Sequence, residues 1–570
     1  MATVDGGELV VRMLEREGVK QIYGIQGGHI DTIMQACLDH GIKIYDTRHE
    51  QAAGHMADAY ARLTGKPGVV VVTAGPGVTD VVTAVANAHL DAVPMVIIGG
   101  RHPLAQDEMM PLQELHGVAL MQSITKCVRL VRDPKRIPDY MALAFREATT
   151  GRPGPVFLEI PMDVLGADVD DTTVSLPQGY RPQQAPAPSP EAVEQALDLL
   201  ATAQRPLIMA GRGVWLAGAA AELREFAELT QIPVIANGMA RGALPEDEHP
   251  LSFGSFGQAG MTFLPAAGGP DVVLLLGARF GLFTGVPKSY VPEQATVIQV
   301  DVAGEEIGRF REVQLGIVAD CREALRAFIA AAKGRALEPK REWLDALSRG
   351  LSAFRTGFQQ IAMTSSEECI HPYRLAYEVN RYMGGKGITV ADGGEAAIWM
   401  ELAITPKRPG TYLFHGYLGC LGTGIPFGLA AKAAFPDQRV VVFTGDGSVG
   451  LNFAEFDTAV RHNLPVVVVI DNDQAWGMCR HEQMLRYGGV DRIVATELGP
   501  THYEKAAEGF GVHAEFVERA GDIVPALERA FASGRPACVN VMTDPAVISP
   551  MVLATTSPAV RPRPVPPAGR

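Results

Sequence analysis

Three features of the sequence predict an α/β protein of three doubly wound domains, each built on a parallel sheet. Apolar runs of strand length alternate with helical patterns along most of the chain. At 570 residues the chain exceeds one ordinary hydrophobic core. A stretch at 168–191 with no apolar period and another polar connection at roughly 333–368 divide it into blocks. The expected domains are 1–165, 190–335 and 370–548, with a tail at 549–570.

In the first block, a helical pattern at 7–17 precedes a strand at 21–25 that ends in a Gly-rich turn. A helix at 51–63 follows, then strands at 68–73 and 93–98. Strand-helix repetition of this kind implies a parallel sheet covered on both faces. The second block carries strands at 206–209, 234–236, 272–276 and 296–300. Its Ala210-Gly211-Arg212-Gly213 turn lacks the dinucleotide spacing and reads as a tight strand-helix turn. The third block carries strands at 387–391, 440–444, 466–470 and 537–541, and it looks like a variant of the first. The Pro/Arg-rich stretch 558–570 is expected to lack structure in isolation.

Hydrophobic residues make up 47% of the chain and charged residues 20%, which reads as a soluble globular protein. The formal charge of −14 argues against non-specific binding to nucleic acid or an anionic membrane. Seven scattered cysteines without a CxxC pair fit a reducing compartment. The polar, acidic N-terminus resembles no targeting peptide, and the apolar runs are too short to span a bilayer. A cytoplasmic protein is the expectation.

The strongest chemical signal begins where the strand 440–444 runs into Gly445-Asp446-Gly447-Ser448. A helical pattern follows from about Asn452, then the strand 466–470 ends in Asp471-Asn472-Asp473. Glycines let backbone approach a diphosphate, and a helix N-terminus offers it free N–H groups. Asp446 and Asp473 stand 27 positions apart, enough for one strand-helix-strand crossover. That brings two oxygen ligands together for a hard cation such as Mg²⁺, with the carbonyl of Ala475 as a third. Gly-Asp-Gly alone is a common turn; its pairing with the later acidic cluster gives it meaning.

These residues resemble the signature of thiamine-diphosphate-dependent enzymes, although Asp473 stands where relatives mostly carry Asn. The resemblance covers nearly the whole chain and implies a pyrimidine-binding, a middle and a diphosphate-binding domain. It implies thiamine diphosphate and Mg²⁺ as cofactors. It assigns coenzyme contacts to Gly75, Pro76, Gly77, Gly394, Glu395, Gly419, Leu421, Gly445, Gly447, Ser448, Ala475, Trp476 and Gly477, and metal contacts to Asp446, Asp473 and Ala475. Glu50 would hydrogen-bond the pyrimidine ring and activate the coenzyme. The site would lie between two subunits of a homodimer or homotetramer, so a lone protomer would be inactive. An ADP or CoA nucleotide near Gly277-Ala278-Arg279 and Asp301 is a further expectation, with Arg561 and Arg563 of the tail as candidates to cover a CoA.

Two resemblances bear on the substrate. The stretch from His29 to His55, Gln113 and the segment 415–419 are similar to benzaldehyde lyase. Asn472-Asp473, Trp476 and Glu482-Gln483 are similar to 2-hydroxyacyl-CoA lyases, which cleave a 2-hydroxyacyl-CoA to formyl-CoA and an aldehyde or ketone. In either case His29 and Gln113 would bind the substrate hydroxyl; in the second, Glu482 would shuttle its proton. The expectation favours the CoA lyase, with the 2-hydroxy-ketone enzyme as the alternative. No flavin motif supports an acetolactate-synthase-like decarboxylating enzyme, which stands as a further alternative beside an inactive coenzyme-binding paralogue.

Overall fold

The structure is a computed structural model that describes residues 3–284, 289–335 and 337–556. Residues 557–570, including Arg561 and Arg563, lie outside the described residues. Three six-stranded sheets organise the chain, and every strand pairing within them is parallel. A short antiparallel pair, Thr3–Val4 with Val169–Asp170, fastens the N-terminus to the start of the linker.

In the first sheet the spatial order is Lys43–Asp46, Gln21–Gly24, Gly68–Val72, Met95–Arg101, Pro155–Pro161, Cys127–Leu130. In the third it is Tyr412–Phe414, Ile388–Asp392, Val440–Gly445, Val467–Asn472, Ala537–Met542, His513–Val517. Numbered by chain order within each sheet, both read 2-1-3-4-6-5. The two blocks are one architecture used twice. The middle sheet reads 3-2-1-4-5-6, the doubly wound order with a switch point between Pro206–Ala210 and Val272–Leu276.

The central strands are buried along their length, Gly445 at the cavity end excepted, as a parallel sheet covered on both faces requires. The first and third sheets share one core. Helix Glu50–Thr64 turns a small-residue face (Ala53, Ala57, Ala61) to helix Gly424–Ala434, and short side chains let the backbones approach. Buried within this contact, Arg62 pairs with Asp58 at 2.6 Å and with Asp91 at 2.8 Å.

Two expectations of the fold need correction. The stretch 333–368 is no plain linker, because Arg341–Thr364 is a 24-residue helix. Trp343, Leu347 and Leu351 are buried along one face, and Phe354 and Phe358 continue that stripe toward Tyr373. The helix expected from Asn452 is two helices, Asp446–Leu451 and Glu455–Arg461. The first begins on the acidic residue itself, so no loop separates Asp446 from a helix N-terminus.

Candidate active site

A cavity of about 720 Å³ opens at the C-terminal ends of the third sheet's strands and runs to the middle domain. Gly394, Glu395, Gly419, Leu421, Gly445, Asp446, Gly447, Ser448, Asp473, Ala475, Trp476 and Gly477 all line it. Neighbouring parallel strands place Asp446 and Asp473 side by side: Gly445 is in register with Asp471, and each aspartate lies one or two residues further on.

The two carboxyl groups lie close enough for each to disturb the other's ionisation, and both are held well above the usual carboxylate range. Burial is the main cause for each; at Asp446 the charge of Asp473 adds to it. One Asp446 oxygen accepts from the Gly447 N–H at 2.9 Å, while the other is buried without a partner. Asp471, one residue before the Asn472 that closes its strand, is pushed up to about 7 by burial and by Asp473. An orphaned buried oxygen and carboxyls that resist joint ionisation are what a divalent cation relieves.

The turn after Asp473 is held by hydrogen bonds on both sides. Gln474 takes a left-handed φ of 61° and its N–H donates to Asn472 Oδ1 at 3.1 Å. Ala475 pairs with Glu497, and the Trp476 N–H donates to the Thr496 carbonyl at 2.8 Å. Asn472 faces inward, donating to Asn540 at 3.0 Å, so it shapes the turn and leaves Asp473 to the cavity. A Cβ on Gly447 would lie 2.6 Å from the Trp476 ring, and one on Gly477 would lie 2.1 Å from Asp473 Oδ2. Backbone alone fits on both sides of this crevice.

Asp392 organises the opposite wall. This buried carboxylate accepts from the N–H groups of Gly393 (2.8 Å), Gly422 (3.2 Å) and Gly424 (2.9 Å), and from the Thr444 hydroxyl (3.3 Å). Burial holds it above its ordinary value and holds the neighbouring His415 imidazole below its own. Sequence reasoning missed Asp392; an acid that closes a buried strand before two glycines was the available signal.

The remaining predicted residues stand elsewhere. Glu50 begins helix Glu50–Thr64, is half-buried, and lies beside His49 and Asp80 rather than in the cavity. Gly75 has a φ of 61° and packs against Gln113, which itself has a φ of 65°; a Cβ on Gly75 would lie 2.8 Å from that of Gln113. His29 Nδ1 lies 3.4 Å from the Thr73 hydroxyl, and burial lowers its imidazole. His29, Gly75, Pro76, Gly77 and Gln113 therefore gather at the C-terminal edge of the first sheet. Within one protomer none of them lines the cavity. Glu482 lies on helix Gly477–Tyr487 but turns to Arg486, 3.4 Å away, and does not line the cavity either.

Three family models cover the chain in the order expected of this geometry. Residues 4–120 match the thiamine pyrophosphate enzyme N-terminal TPP binding domain, 193–328 the central domain, and 392–541 the C-terminal TPP binding domain. The chain belongs to the thiamine pyrophosphate enzyme family. Its coenzyme is thiamine diphosphate, which Mg²⁺ normally accompanies in this family. The acetolactate synthase large subunit of Mycobacterium tuberculosis is 34% identical over 556 residues, covering 96% of this chain and 97% of that protein. The probable acetolactate synthase large subunit of Methanocaldococcus jannaschii is 34% identical over 557 residues, covering 96% and 93%. The acetolactate synthase isozyme 1 large subunit of Escherichia coli is 33% identical over 547 residues, covering 95% and 94%.

These relatives overturn the expected kinship with 2-hydroxyacyl-CoA lyase and benzaldehyde lyase. That expectation weighed a few short segments around the site, whereas the similarity to acetolactate synthases runs nearly end to end. No helix among the described residues is long and apolar enough to cross a membrane.

Proposed function

We propose that this thiamine-diphosphate enzyme is a decarboxylating carboligase of the acetolactate synthase kind. It would take one 2-oxo acid, release CO₂, and join the remaining acyl unit to the carbonyl carbon of a second 2-oxo acid. The near full-length similarity to acetolactate synthases carries the reading.

In this reading Asp446, Asp473 and the Ala475 carbonyl hold Mg²⁺, and the backbone of Gly445, Gly447, Ser448 and Gly477 receives the diphosphate. Gly419 and Leu421, on the cavity wall, meet the two coenzyme rings. When bound, thiamine diphosphate supplies a nucleophilic thiazolium carbon and an electron sink for the pair released with CO₂. Glu50, from a second copy of the chain, holds a proton at the pyrimidine nitrogen. The Gly75-Pro76-Gly77 turn of that copy packs beside the ring, and its His29 and Gln113 orient the substrate's oxygen atoms. This places the site between protomers, which explains why the two residue groups lie apart in one chain. Glu482, paired with Arg486, is given no step. The seven cysteines, unpaired in the structure, suit a cytoplasmic enzyme.

A second ligand belongs to the middle domain. Gly211, Arg212, Gly277 and Asp301 line the cavity at the switch point of the middle sheet, where α/β folds bind nucleotides. Arg212 has two guanidinium nitrogens there, buried and without partners. We assign this crevice to a nucleotide diphosphate such as ADP.

The test is direct. Purified protein with thiamine diphosphate, Mg²⁺ and pyruvate should release CO₂ and acetolactate in equal amounts. Holoenzyme that binds the coenzyme yet leaves pyruvate untouched would sink the assignment.

A further inference from the structure

Glu395, expected to contact the coenzyme, lines the cavity, but both its oxygens are engaged by protein groups, so it is read here as a neighbour of the site and not as a coenzyme ligand. Oε1 accepts from the Ser549 N–H at 2.7 Å, and Oε2 lies 2.5 Å from His481 Nδ1. On the other side of the ring, His481 Nε2 lies 2.9 Å from the Pro545 carbonyl oxygen. A carbonyl oxygen only accepts, so Nε2 carries a proton. The contact between Nδ1 and Oε2 needs one proton of its own, on either atom. In both cases the pair carries no net charge. His481 is 1% exposed and Glu395 7%, so water does little to screen either.

The position of this pair matters. A Cβ on Gly477 would lie 2.1 Å from Asp473 Oδ2 and 3.4 Å from Glu395 Oε2, so both carboxylates face the first residue of helix Gly477–Tyr487. Asp446, Asp471 and Asp473 already crowd this corner, and a diphosphate brings further negative charge. An uncompensated Glu395 would oppose it.

We propose that His481 is a positioning residue that neutralises Glu395 beside the diphosphate site. It also ties helix Gly477–Tyr487 to the turn at Pro545 and Ser549. The proposal rests on the diphosphate reading of this corner. It differs from a purely structural role because the defect of losing His481 should be cured by removing the charge it balances.

The experiment titrates thiamine diphosphate with Mg²⁺ into the full-length protein by calorimetry. His481→Gln should weaken coenzyme binding about tenfold or more, since it leaves a buried carboxylate unbalanced. The double variant Glu395→Gln with His481→Gln should recover to within about threefold of wild type. Unchanged binding by His481→Gln overturns the proposal. So does a folded double variant that binds about tenfold or more below wild type. If His481→Gln alone is insoluble, the double variant decides by the same two limits. Wild-type protein that binds no coenzyme overturns the site reading, and this inference with it. Normal wild-type binding alongside an indifferent His481→Gln overturns this inference alone.

Discussion

Asp446 and Asp473 stand side by side at the ends of neighbouring strands, each raised above the usual carboxylate range mainly by burial. In metal-free protein this contact is a strained one. Asp446→Asn should therefore raise the thermal midpoint of the metal-free protein, because it removes one of two repelling acids. The same variant should lose the midpoint rise that Mg²⁺ and thiamine diphosphate give the wild type. That rise corresponds to about 2.7 kcal/mol at a hundredfold excess over Kd. Thermal unfolding with and without the ligands reads both effects, and a variant that keeps the full rise would remove Asp446 from the metal site.

Glu50→Gln should cut turnover by about 10²- to 10⁴-fold, the usual range for removing a positioned proton donor. Coenzyme binding by calorimetry should change only a few-fold, because the variant leaves the metal and diphosphate contacts at Asp446 and Asp473 in place. A variant with near-normal turnover would end the activator assignment.

Mixing the two dead variants tests whether protomers share a site. Glu50→Gln and Asp446→Asn chains, unfolded or dissociated together and reassembled, give hybrids in which one site of two has both residues intact. Random pairing predicts recovery of about a quarter of wild-type activity. No recovery, with hybrids demonstrated by mass spectrometry, would mean that each chain builds its own site.

Much of this arrangement was legible in the sequence. The runs 440–443 and 466–470 are apolar without interruption, and adjacent parallel strands bring their ends together. The doubled architecture was visible as the same strand-helix rhythm. What stayed hidden had physical reasons. Helix Arg341–Thr364 carries enough charge to pass for a linker, although Trp343, Leu347 and Leu351 keep a helical spacing. Glu482 and His481 are one residue apart, about 100° around the helix, and the sequence does not say which one turns inward; the buried one is His481. Asp392 works by collecting backbone N–H groups from its own turn and from the distant segment 422–424; the two glycines after it signal a turn but not that second partner.

Gly416→Ala should destabilise the protein by about 2–4 kcal/mol. Gly416 has a φ of 98°, and a Cβ there would lie 1.6 Å from Asp91 Oδ2, inside the buried Arg62–Asp91 pair. Urea denaturation measures the loss. A loss below about 0.5 kcal/mol, the size of an ordinary surface change, would show that the turn yields and that Asp91 does not fix it.

Asp301 is pushed up to about 6, mainly by burial, against an unfolded value near 3.9. The folded chain thus holds this proton where the unfolded chain has released it. Its contribution favours folding fully below about pH 4 and is lost as pH rises through about 6. Asp301→Asn should remove that slope from a plot of unfolding free energy against pH between 4 and 7. An unchanged slope would show that other groups carry it.

Asp392 gathers the ends of strands Ile388–Asp392 and Val440–Gly445 and the start of helix Gly424–Ala434 onto one carboxylate. A keystone of this kind makes the crevice tolerant of change at its rim and intolerant at a single interior point. Drift in the surrounding loops can retune what enters the cavity while the mould that receives the cofactor keeps its shape.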